Sequence, residues 1–418
     1  KKRDINKSIH YLTLSANQNN SDAQYLLGLI YYYGDNMIKD IKKSIHYLTL
    51  SANQNNSNAQ YMLGKIYYLG IKIPQDINKS IHYATQAANN NHAKAQYLLG
   101  IIFFYLDDFC CVEKSINYLT LASNQNHKKA QFLLGMIYLR IEDQYKAFHY
   151  LTLSANQNYA KAHFLLGTIY LSGKEMPRDV NKALHHIKFA CDANYYIAQY
   201  ALGEMYYYGK FIEKNYNKAI HYLQLSANQQ YPEAQYLLSS IYFLGKGVPV
   251  DINKTIYYLK LSSTHKNSQA LYSLGFLYYS SYYVPRNINL SIYYLTLASN
   301  QNNHQANFLL GEIYYSGLFV ERDIDKAIHH FKEASCFNNA MAKNELGVIY
   351  KNGEGVKKNI YQAIEYFEEA IRHGNDSNSF YNLIRIYYFG IDIQKDIDKS
   401  IEIIEKASEF NYPEVVIL

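Results

Sequence analysis

The sequence predicts an all-α fold, an α-solenoid whose right-handed superhelix contains about 11–12 helix–turn–helix repeats of 36 residues. Three observations predict it. One long segment returns along the chain at a nearly constant interval, apolar residues in every copy follow helical spacing, and residues that begin or end helices recur at fixed positions.

The repeat is visible by direct self-comparison. The segment KSIHYLTLSANQNNSDAQYLLGLIYYYG begins at Lys7 and returns with few changes at Lys43. Two residues after this Lys, or its equivalent, twelve copies carry an apolar residue: Ile9, Ile45, Ile81, Ile116, Phe148, Leu184, Ile220, Ile256, Ile292, Ile328, Ile364 and Ile401. The interval is 36 residues throughout except for single values of 35, 32 and 37. Residues 1–418 therefore form one continuous array without a linker.

The first predicted helix of each repeat carries the pattern A-x-x-x-L-G-x-I-Y, as at Ala23, Leu27 and Ile30. These positions share one helical face. Glycine follows the Leu in nine of eleven copies: Gly28, Gly64, Gly100, Gly135, Gly167, Gly203, Gly275, Gly311 and Gly347. Because Gly inside a helix costs about 1 kcal/mol relative to Ala, its recurrence predicts close approach of a neighbouring helix.

The second predicted helix is marked at both ends. Its expected N-caps lie three residues before Lys or its equivalent: Asp4, Asp40, Asp76, Asp179, Asn215, Asp251, Asn287, Asp323, Asn359 and Asp396. Such side chains accept hydrogen bonds from the free amides of a new helix. The helix is expected to end near a residue that tolerates the left-handed conformation: Asn19, Asn55, Asn91, Asn126, Asn158, Asn194, Asn302, Asn338 and Asn411, with Gly374 at the equivalent place.

Composition excludes several classes of protein. With 49% hydrophobic residues the chain is too apolar to be disordered. The 41 Lys+Arg against 35 Asp+Glu give a net charge of only +6, so no nucleic-acid binding is expected. The longest apolar runs, such as 101–106, are far shorter than a membrane span. Four cysteines without regular spacing favour a reducing, cytoplasmic setting. Both ends are expected to be truncated within a repeat.

The combined pattern A-x-x-x-L-G-x-x-Y-x-x-G-x(5)-D-x-x-K-[AS]-x-x-Y-x-x-x-[AS]-[AS] resembles the Sel-1-like repeat, a relative of the tetratricopeptide repeat. The segments 245–248 and 353–356 are similar to that family's G-x-G-V loop. The resemblance covers the whole chain. It implies a protein–protein interaction scaffold or adaptor that holds peptide or protein partners on a concave face.

Enzymatic chemistry is not expected. Seven histidines share one repeat position: His10, His46, His82, His149, His185, His221 and His329. Equivalent positions in neighbouring repeats are separated by well over 8 Å, whereas metal ligands lie about 2–2.5 Å from one ion. The two G-x-G segments lack the strand–loop–helix context of a phosphate-binding loop. The sequence therefore predicts no catalytic residue, no metal site and no cofactor.

The candidate partner-binding residues lie at two positions of the first helix. Six residues after the leading Ala the copies vary widely, which indicates solvent exposure, and the tetratricopeptide resemblance places this position on the concave wall. Nine residues after that Ala most copies are aromatic, which fits either partner binding or packing. The predicted site comprises Leu29, Tyr32, Lys65, Tyr68, Phe104, Glu204, Tyr207, Phe243, Phe276, Tyr279, Glu312, Tyr315, Arg385 and Tyr388. A third row of aromatics, two residues after Ala, favours packing between neighbouring first helices.

Alternatives to the cytoplasmic scaffold stay open at this point. The resemblance also fits an adaptor of an ER-associated degradation ubiquitin-ligase complex in the ER lumen. It equally fits the regulatory repeat region of a larger protein such as a protist kinase. Single-stranded RNA binding is a remote alternative, because other solenoids of similar repeat length bind one base per repeat. Finally, the shortened intervals predict a change of curvature near residues 106–145.

Overall fold

The computed structural model describes residues 5–34, 39–106, 109–174, 176–374, 376–410 and 412. Within these ranges the chain forms 23 α-helices and no strand. It divides into two compact units, Lys1–Ala198 and Gln199–Leu418, which we call the N-terminal and C-terminal units. Within each unit a first helix pairs with the second helix that follows it, and that second helix packs on the next first helix, as α2, α3 and α4 do. This alternation is the solenoid arrangement expected from the repeat.

The first helices are α2 (Ser21–Tyr33), α4 (Ser57–Leu69), α6 (Ala93–Tyr105), α8 (Lys128–Arg140), α10 (Ala160–Ser172), α12 (Tyr196–Tyr208), α14 (Pro232–Leu244), α16 (Ser268–Ser280), α18 (His304–Ser316), α20 (Ala340–Asn352) and α22 (Ser377–Phe389). The second helices are α1 (Ile5–Asn17), α3 (Ile41–Asn53), α5 (Ile77–Asn89), α7 (Phe109–Asn124), α9 (Gln144–Ala155), α11 (Val180–Asp192), α13 (Tyr216–Asn228), α15 (Ile252–Thr264), α17 (Ile288–Ser299), α19 (Ile324–Ser335), α21 (Ile360–Gly374) and α23 (Ile397–Glu409).

The predicted N-caps of the second helices are confirmed. The side chain of Asp76, for example, accepts a hydrogen bond from the backbone N–H of Lys79 at 2.9 Å. Equivalent bonds are made by Asp40, Asp179, Asn215, Asp251, Asn287, Asp323, Asn359 and Asp396. Asp143 caps α9 in the same way and was not predicted. Asp4 lies outside the described residues.

The second-helix ends also follow the sequence, with one correction. Eight of the predicted asparagines adopt a left-handed backbone: Asn19, Asn55, Asn91, Asn126, Asn158, Asn194, Asn302 and Asn338. The assignment of Gly374 to this role is wrong. Gly374 is the last residue of α21 and its φ lies outside the left-handed region, because α21 continues through the position at which the other second helices have ended. Asn411 lies outside the described residues.

The recurrent glycine marks the crossing of the two helices of a repeat. A Cβ added at Gly28 would lie 2.6 Å from Cγ of Leu48 on the following second helix, and one at Gly311 would lie 2.5 Å from the ring of Phe331. Both partner side chains are fully buried. The predicted close approach of a neighbouring helix is therefore confirmed.

A second contact joins the C-terminal end of the first helix to the N-terminal end of the second helix. The capping Asp76 forms an ion pair with Lys79, whose Nζ atom lies 5.3 Å from the ring centroid of Tyr67 on the preceding first helix. The same cation–π arrangement occurs for Lys43, Lys114, Lys146, Lys182, Lys218, Lys254, Lys326 and Lys399. The D-x-x-K pattern is thus explained by structure, as a helix cap whose Lys covers an aromatic ring.

The shortened intervals fall in the turns between first and second helices, as predicted. Most such turns have seven residues, for example 70–76, whereas 141–143 connects α8 to α9 with three. In the preceding repeat α7 begins early, at Phe109, and has 16 residues. α8 and α9 still pack against each other as the other helix pairs do. A curvature change near residues 106–145 stays a prediction.

A buried polar residue one position after the leading Ala joins three consecutive helices. Gln24 of α2 donates from Nε2 to the carbonyl of Ala16 at 3.2 Å, and its Oε1 accepts from Nε2 of Gln54, just after α3, at 2.7 Å. We call the equivalent positions the buried polar row: Gln24, Gln60, Gln96, Gln131, His163, Gln199, Gln235, Asn307 and Lys343. In six repeats this side chain contacts a carbonyl near the end of the preceding second helix, and that carbonyl also accepts a backbone N–H.

Candidate partner-binding face

First helices of neighbouring repeats approach one another inside each unit. α4 contacts α6 and α6 contacts α8 in the N-terminal unit, and α16 contacts α18 in the C-terminal unit. Among the described residues, no comparable approach joins two successive second helices. A stack whose first helices crowd together while its second helices spread has the first helices on its inner side. The inner surface of each unit is therefore built from first helices.

The row two residues after the leading Ala packs between first helices, as the sequence favoured. The ring of Tyr61 stacks on His92, with centroids 5.0 Å apart, and Tyr97 lies 4.6 Å from His127. Phe132, Phe164 and Tyr200 make the same kind of contact with Tyr159, Tyr195 and Tyr231. Each partner is the residue immediately before the next first helix. These aromatics therefore set the spacing of the repeats.

The row nine residues after Ala is half-buried in most copies. Tyr32 packs against the core formed by α3 and α4, and Tyr68 against the core of the following repeat. The predicted residues Tyr32, Tyr68, Phe104, Tyr207, Phe243, Tyr279 and Tyr315 are all half-buried, whereas Tyr388 is exposed. This position therefore offers a partner the edge of a ring rather than a whole side chain.

The variable row six residues after Ala is more accessible in places. Phe276 and Arg385 are exposed, and the remaining predicted members are half-buried: Leu29, Lys65, Glu204 and Glu312. Tyr200 donates from its hydroxyl to Oε1 of Glu204 at 3.3 Å. The row therefore combines apolar, cationic and anionic groups along one face.

The most exposed aromatics on the first helices lie ten residues after Ala, one residue beyond the row at position nine. They were not predicted from the sequence. Tyr33, Tyr105 and Tyr208 are 61%, 74% and 60% exposed. Leu69, Leu244 and Phe389 at the same position are also exposed. At 100° per residue, position ten projects between positions three and six, at the centre of the solvent-facing arc. We call positions three, six and ten after Ala the inner strip.

The inner strip differs between the two units. In the N-terminal unit it is mainly apolar, with Leu26, Tyr33, Ile101, Tyr105 and Met136. Its charged members in that unit are two basic residues, Lys65 and Arg140. In the C-terminal unit it carries charged and amide side chains: Glu204, Glu312, Glu345, Asn352, Asn382 and Arg385. Overall, residues 1–198 contain 21 Lys+Arg against 13 Asp+Glu, and residues 199–418 contain 20 against 22.

Two of these carboxylates titrate abnormally. Burial, followed by repulsion from Glu345, raises the pKa of the Glu312 carboxyl to about 7. Burial also raises the pKa of Glu345, although the hydrogen bond from Asn344 opposes this. Near neutral pH, Glu312 can therefore donate a hydrogen bond as well as accept one.

Two adjoining cavities lie on the inner strip of the C-terminal unit. The first, of about 230 Å³, is lined by Ser240, Phe243 and Phe276, so it brings two predicted site residues together. The second, of about 640 Å³, shares Phe276 with the first and extends to Met341. The first cavity lies beside Ser239, one of the two residues that replace the crossing glycine. Together they form a groove along α14, α16, α18 and α20.

The recurrent histidines lie away from this face. All seven that share one position of the second helices are exposed. Among the described residues, no group of three or more His, Cys, Asp or Glu is arranged to hold a metal ion. No helix in the described part of the chain is both long and apolar enough to span a bilayer.

Comparison with known proteins identifies the family. Twelve segments match the Sel1 repeat: residues 1–20, 21–56, 57–92, 93–127, 128–159, 160–195, 197–231, 232–267, 268–303, 304–336, 340–375 and 381–409. The chain belongs to the Sel1 repeat family. Sel1 repeat proteins generally mediate protein–protein interactions and are generally non-catalytic. A comparison with curated proteins gives no significant match.

Solved structures of Sel1 proteins share the fold. The chain is similar to a protective antigen of uropathogenic Escherichia coli strains that displays an SLR fold, with 25% identity and a TM-score of 0.64 over 96% of this chain and 86% of that one. It is also similar to a Sel1 repeat protein from Oxalobacter formigenes, with 25% identity and a TM-score of 0.57 over 77% of this chain and 93% of that one. Both confirm the Sel1 solenoid.

Proposed function

We propose that this Sel1 protein is a non-catalytic scaffold whose inner strip binds an extended segment of a partner protein. The observation that carries the proposal is the exposure of tyrosines on the inner surface of each unit, namely Tyr33 and Tyr105 in the N-terminal unit and Tyr208 in the C-terminal unit. A Tyr side chain offers a large apolar area, few rotatable bonds and a polar tip, so it contributes strongly at protein interfaces.

Packing does not account for these rings. The first-helix tyrosines two and eight residues after Ala are held between helices, as Tyr61 and Tyr67 are against His92 and Tyr83. By contrast, Tyr33, Tyr105 and Tyr208 each contact the ring of the preceding residue and leave most of their surface in water. Apolar surface exposed repeatedly along one face is a feature of interaction sites.

The test is affinity purification of the full chain from a lysate, with and without nuclease, followed by mass spectrometry. The variant Tyr33→Ser/Tyr105→Ser/Tyr208→Ser should lose proteins that the wild type retains. A matched control replaces three second-helix tyrosines of similar exposure, Tyr257, Tyr293 and Tyr361, at 58%, 56% and 73%. Retention by this control, and survival of the complex after nuclease treatment, would support the proposal.

Two results would contradict it. Equal loss of partners in both triple variants would mean that the inner surface has no special role. Loss on nuclease treatment alone would indicate binding through RNA.

A further inference from the structure

A polar cavity in the C-terminal unit lies apart from the apolar groove. It has a volume of about 380 Å³ and its walls include Lys351 from α20 and Asn382, Arg385 and Ile386 from α22. Lys351, Asn382 and Arg385 occupy positions nine, three and six after the leading Ala or its equivalent, so all three belong to the inner surface. We call these three residues the cation pocket.

The two basic residues of the cation pocket, Lys351 and Arg385, face the same cavity. Lys351 is half-buried, and its Nζ atom donates to Oδ1 of Asn382 at 2.8 Å. The guanidinium of Arg385 lies 5.5 Å from the ring centroid of Tyr381. In the described part of the chain, no carboxylate forms an ion pair with Lys351 or Arg385. Burial, and then repulsion from Arg385, lowers the pKa of Lys351.

This arrangement is costly for the chain alone. The position of Lys351 is occupied by Tyr315 and Tyr279 in the two preceding repeats, and these pack there without placing a charge in the core. Two like charges that face one cavity repel each other, and an anion between them would convert that repulsion into two charge-assisted hydrogen bonds. The cation pocket is therefore suited to a negatively charged ligand.

The remaining walls select the kind of anion. Asp392 lines the same cavity, and its Oδ2 atom forms an ion pair with Nζ of Lys358 at 2.6 Å. A carboxylate in the wall disfavours a doubly charged phosphate more than a singly charged carboxylate. Ile391, which is half-buried, supplies an adjoining apolar surface, whereas Ile386 behind it is fully buried. A carboxylate next to an aliphatic group matches both features.

We propose that the cation pocket binds a carboxylate of the partner segment, either its C-terminus or an Asp or Glu side chain, through Lys351 and Arg385. An aliphatic residue beside that carboxylate would contact Ile391. This inference rests on the proposed scaffold function and adds the chemistry of one anchor point.

The test measures the reactivity of Lys351 in the full chain. A trace amine-acylating reagent is applied at fixed pH, and mass spectrometry gives the labelling rate of Lys351 relative to the exposed Lys357. The probes are N-acetyl-leucine for a terminal carboxylate, N-acetyl-leucyl-glutamate amide for a side-chain carboxylate, N-acetyl-leucinamide as the uncharged match, and inorganic phosphate. One or both carboxylates should slow labelling of Lys351 severalfold and leave Lys357 unchanged, and which of them does so identifies the source.

The variant Arg385→Gln should raise the carboxylate concentration needed for protection about tenfold, because it removes one charge-assisted bond. The variant Lys332→Gln, at another exposed lysine of the C-terminal unit, should leave that concentration unchanged. Protection by the amide at equal concentration, stronger protection by phosphate, or no protection by any probe would overturn the proposal. The partner capture described above is independent of this assay, so a captured partner without carboxylate protection would refute the cation pocket and leave the scaffold intact.

Discussion

The buried polar row takes different forms in the two units. In the N-terminal unit it consists of neutral amides in the first four repeats, as where Gln24 accepts from Gln54 and Gln96 from Gln125. In the C-terminal unit Gln199 and Gln235 keep the glutamine, whereas two later repeats have Asn307, which contacts His330, and Lys343, which contacts Glu369. The backbone arrangement of the repeats is nevertheless the same. The position therefore accepts amide, imidazole and ammonium groups, and it also accepts the apolar side chains of Leu271 and Phe380, so the fold does not require an amide there.

The exchanges come in compensating sets. In two repeats the residue that corresponds to Gln54 is Ala193 or Phe337 rather than an amide. In the same two repeats, the half-buried second-helix position that is usually Tyr is a histidine, His186 or His330. His186 then contacts His163 at 2.9 Å between Nδ1 atoms, and His330 contacts Asn307 at 3.1 Å. The hydrogen-bond donor that is missing at Ala193 or Phe337 is thus replaced by a histidine about two helical turns earlier. Four groups of substitutions test the difference between the two units.

The largest effect is expected at the helix crossing of the C-terminal unit. Gly311→Ala should destabilise α18 and α19 by about 2–3 kcal/mol, because the added Cβ meets the fully buried ring of Phe331. Gly64→Ala in the N-terminal unit meets Ala84 and the carbonyl oxygen of Ser80, each at 3.2 Å or more, and the gain in helix propensity offsets these contacts. Hydrogen exchange of the affected helices measures both. Equal losses at the two sites would refute this account.

The next largest loss of stability is expected at Lys343, the charged member of the buried polar row. Nζ of Lys343 lies 2.8 Å from Glu369, and the Lys343 side chain is only 5% exposed. Glu369→Gln leaves that ammonium buried without its carboxylate and should destabilise α20 and α21 by about 2 kcal/mol. The double variant Lys343→Met/Glu369→Gln should recover most of this loss. In the N-terminal unit Gln54→Ala, which removes a neutral bond, should cost about 1 kcal/mol. Urea unfolding followed by local hydrogen exchange distinguishes these cases.

The contact between His163 and His186 should make the pairing of α10 with α11 less stable in acid. Burial, and then His163 and His185, lower the pKa of His186 to about 4. An unfolded histidine titrates near pH 6.5, so as the pH falls the unfolded chain takes up the proton first. Stability is therefore complete above pH 6.5 and is lost progressively down to about pH 4, by about 1–2 kcal/mol after allowance for solvent screening.

The matched variant restores the arrangement of the other repeats. His163→Gln/His186→Tyr/Ala193→Gln recreates the buried amide pair and the stacked Tyr. Hydrogen exchange of α10 and α11 should then vary less between pH 7 and pH 4.5 than in the wild type. An unchanged pH dependence would show that other groups carry it.

The smallest effect is one that the two units should share. Asn56 and Asn267 cap first helices by accepting from the N–H of Ala59 at 3.1 Å and of Ala270 at 3.0 Å. Asn→Ala at either site should cost about 1 kcal/mol, and Asn→Asp should restore most of it. Thermal unfolding monitored with local hydrogen exchange measures the change. A large difference between the sites would mean that the units differ in more than their polar row and inner strip.

The sequence predicted those features of the fold that depend on local patterns. Caps such as Asp76, left-handed residues such as Asn55 and the crossing Gly28 each follow from the chemistry of one residue and its immediate neighbours. Gly374 was wrong because a Gly also fits inside a helix end, so its presence alone does not locate the end. Asp143 was missed because its repeat has lost four residues from the turn.

The site was predicted less well, for physical reasons. Variation between copies at Glu204 or Phe276 signals accessibility. The position of Tyr33 and Tyr105 varies as widely, and its helical angle lies at the centre of the exposed arc, so the same comparison made ten residues after Ala would have found it. Gln24 was overlooked because a polar residue suggests surface. Its return as Gln60 and Gln96 inside the otherwise apolar A-Q-Y segment was the signal that could have revealed it.

The buried polar row also bears on how such a chain can change its length. Gln24 and Gln54 lie 30 residues apart, and a tandem duplication of one 36-residue unit would insert a donor and an acceptor already in register with both neighbours. The near-identical segments at Lys7 and Lys43 are compatible with such a junction. The pairs His163–His186, Asn307–His330 and Lys343–Glu369 likewise lie within one repeat, so a copied unit would carry both of its partners. Each repeat is therefore a self-contained unit of buried polar pairing, which suits growth of the array by whole repeats.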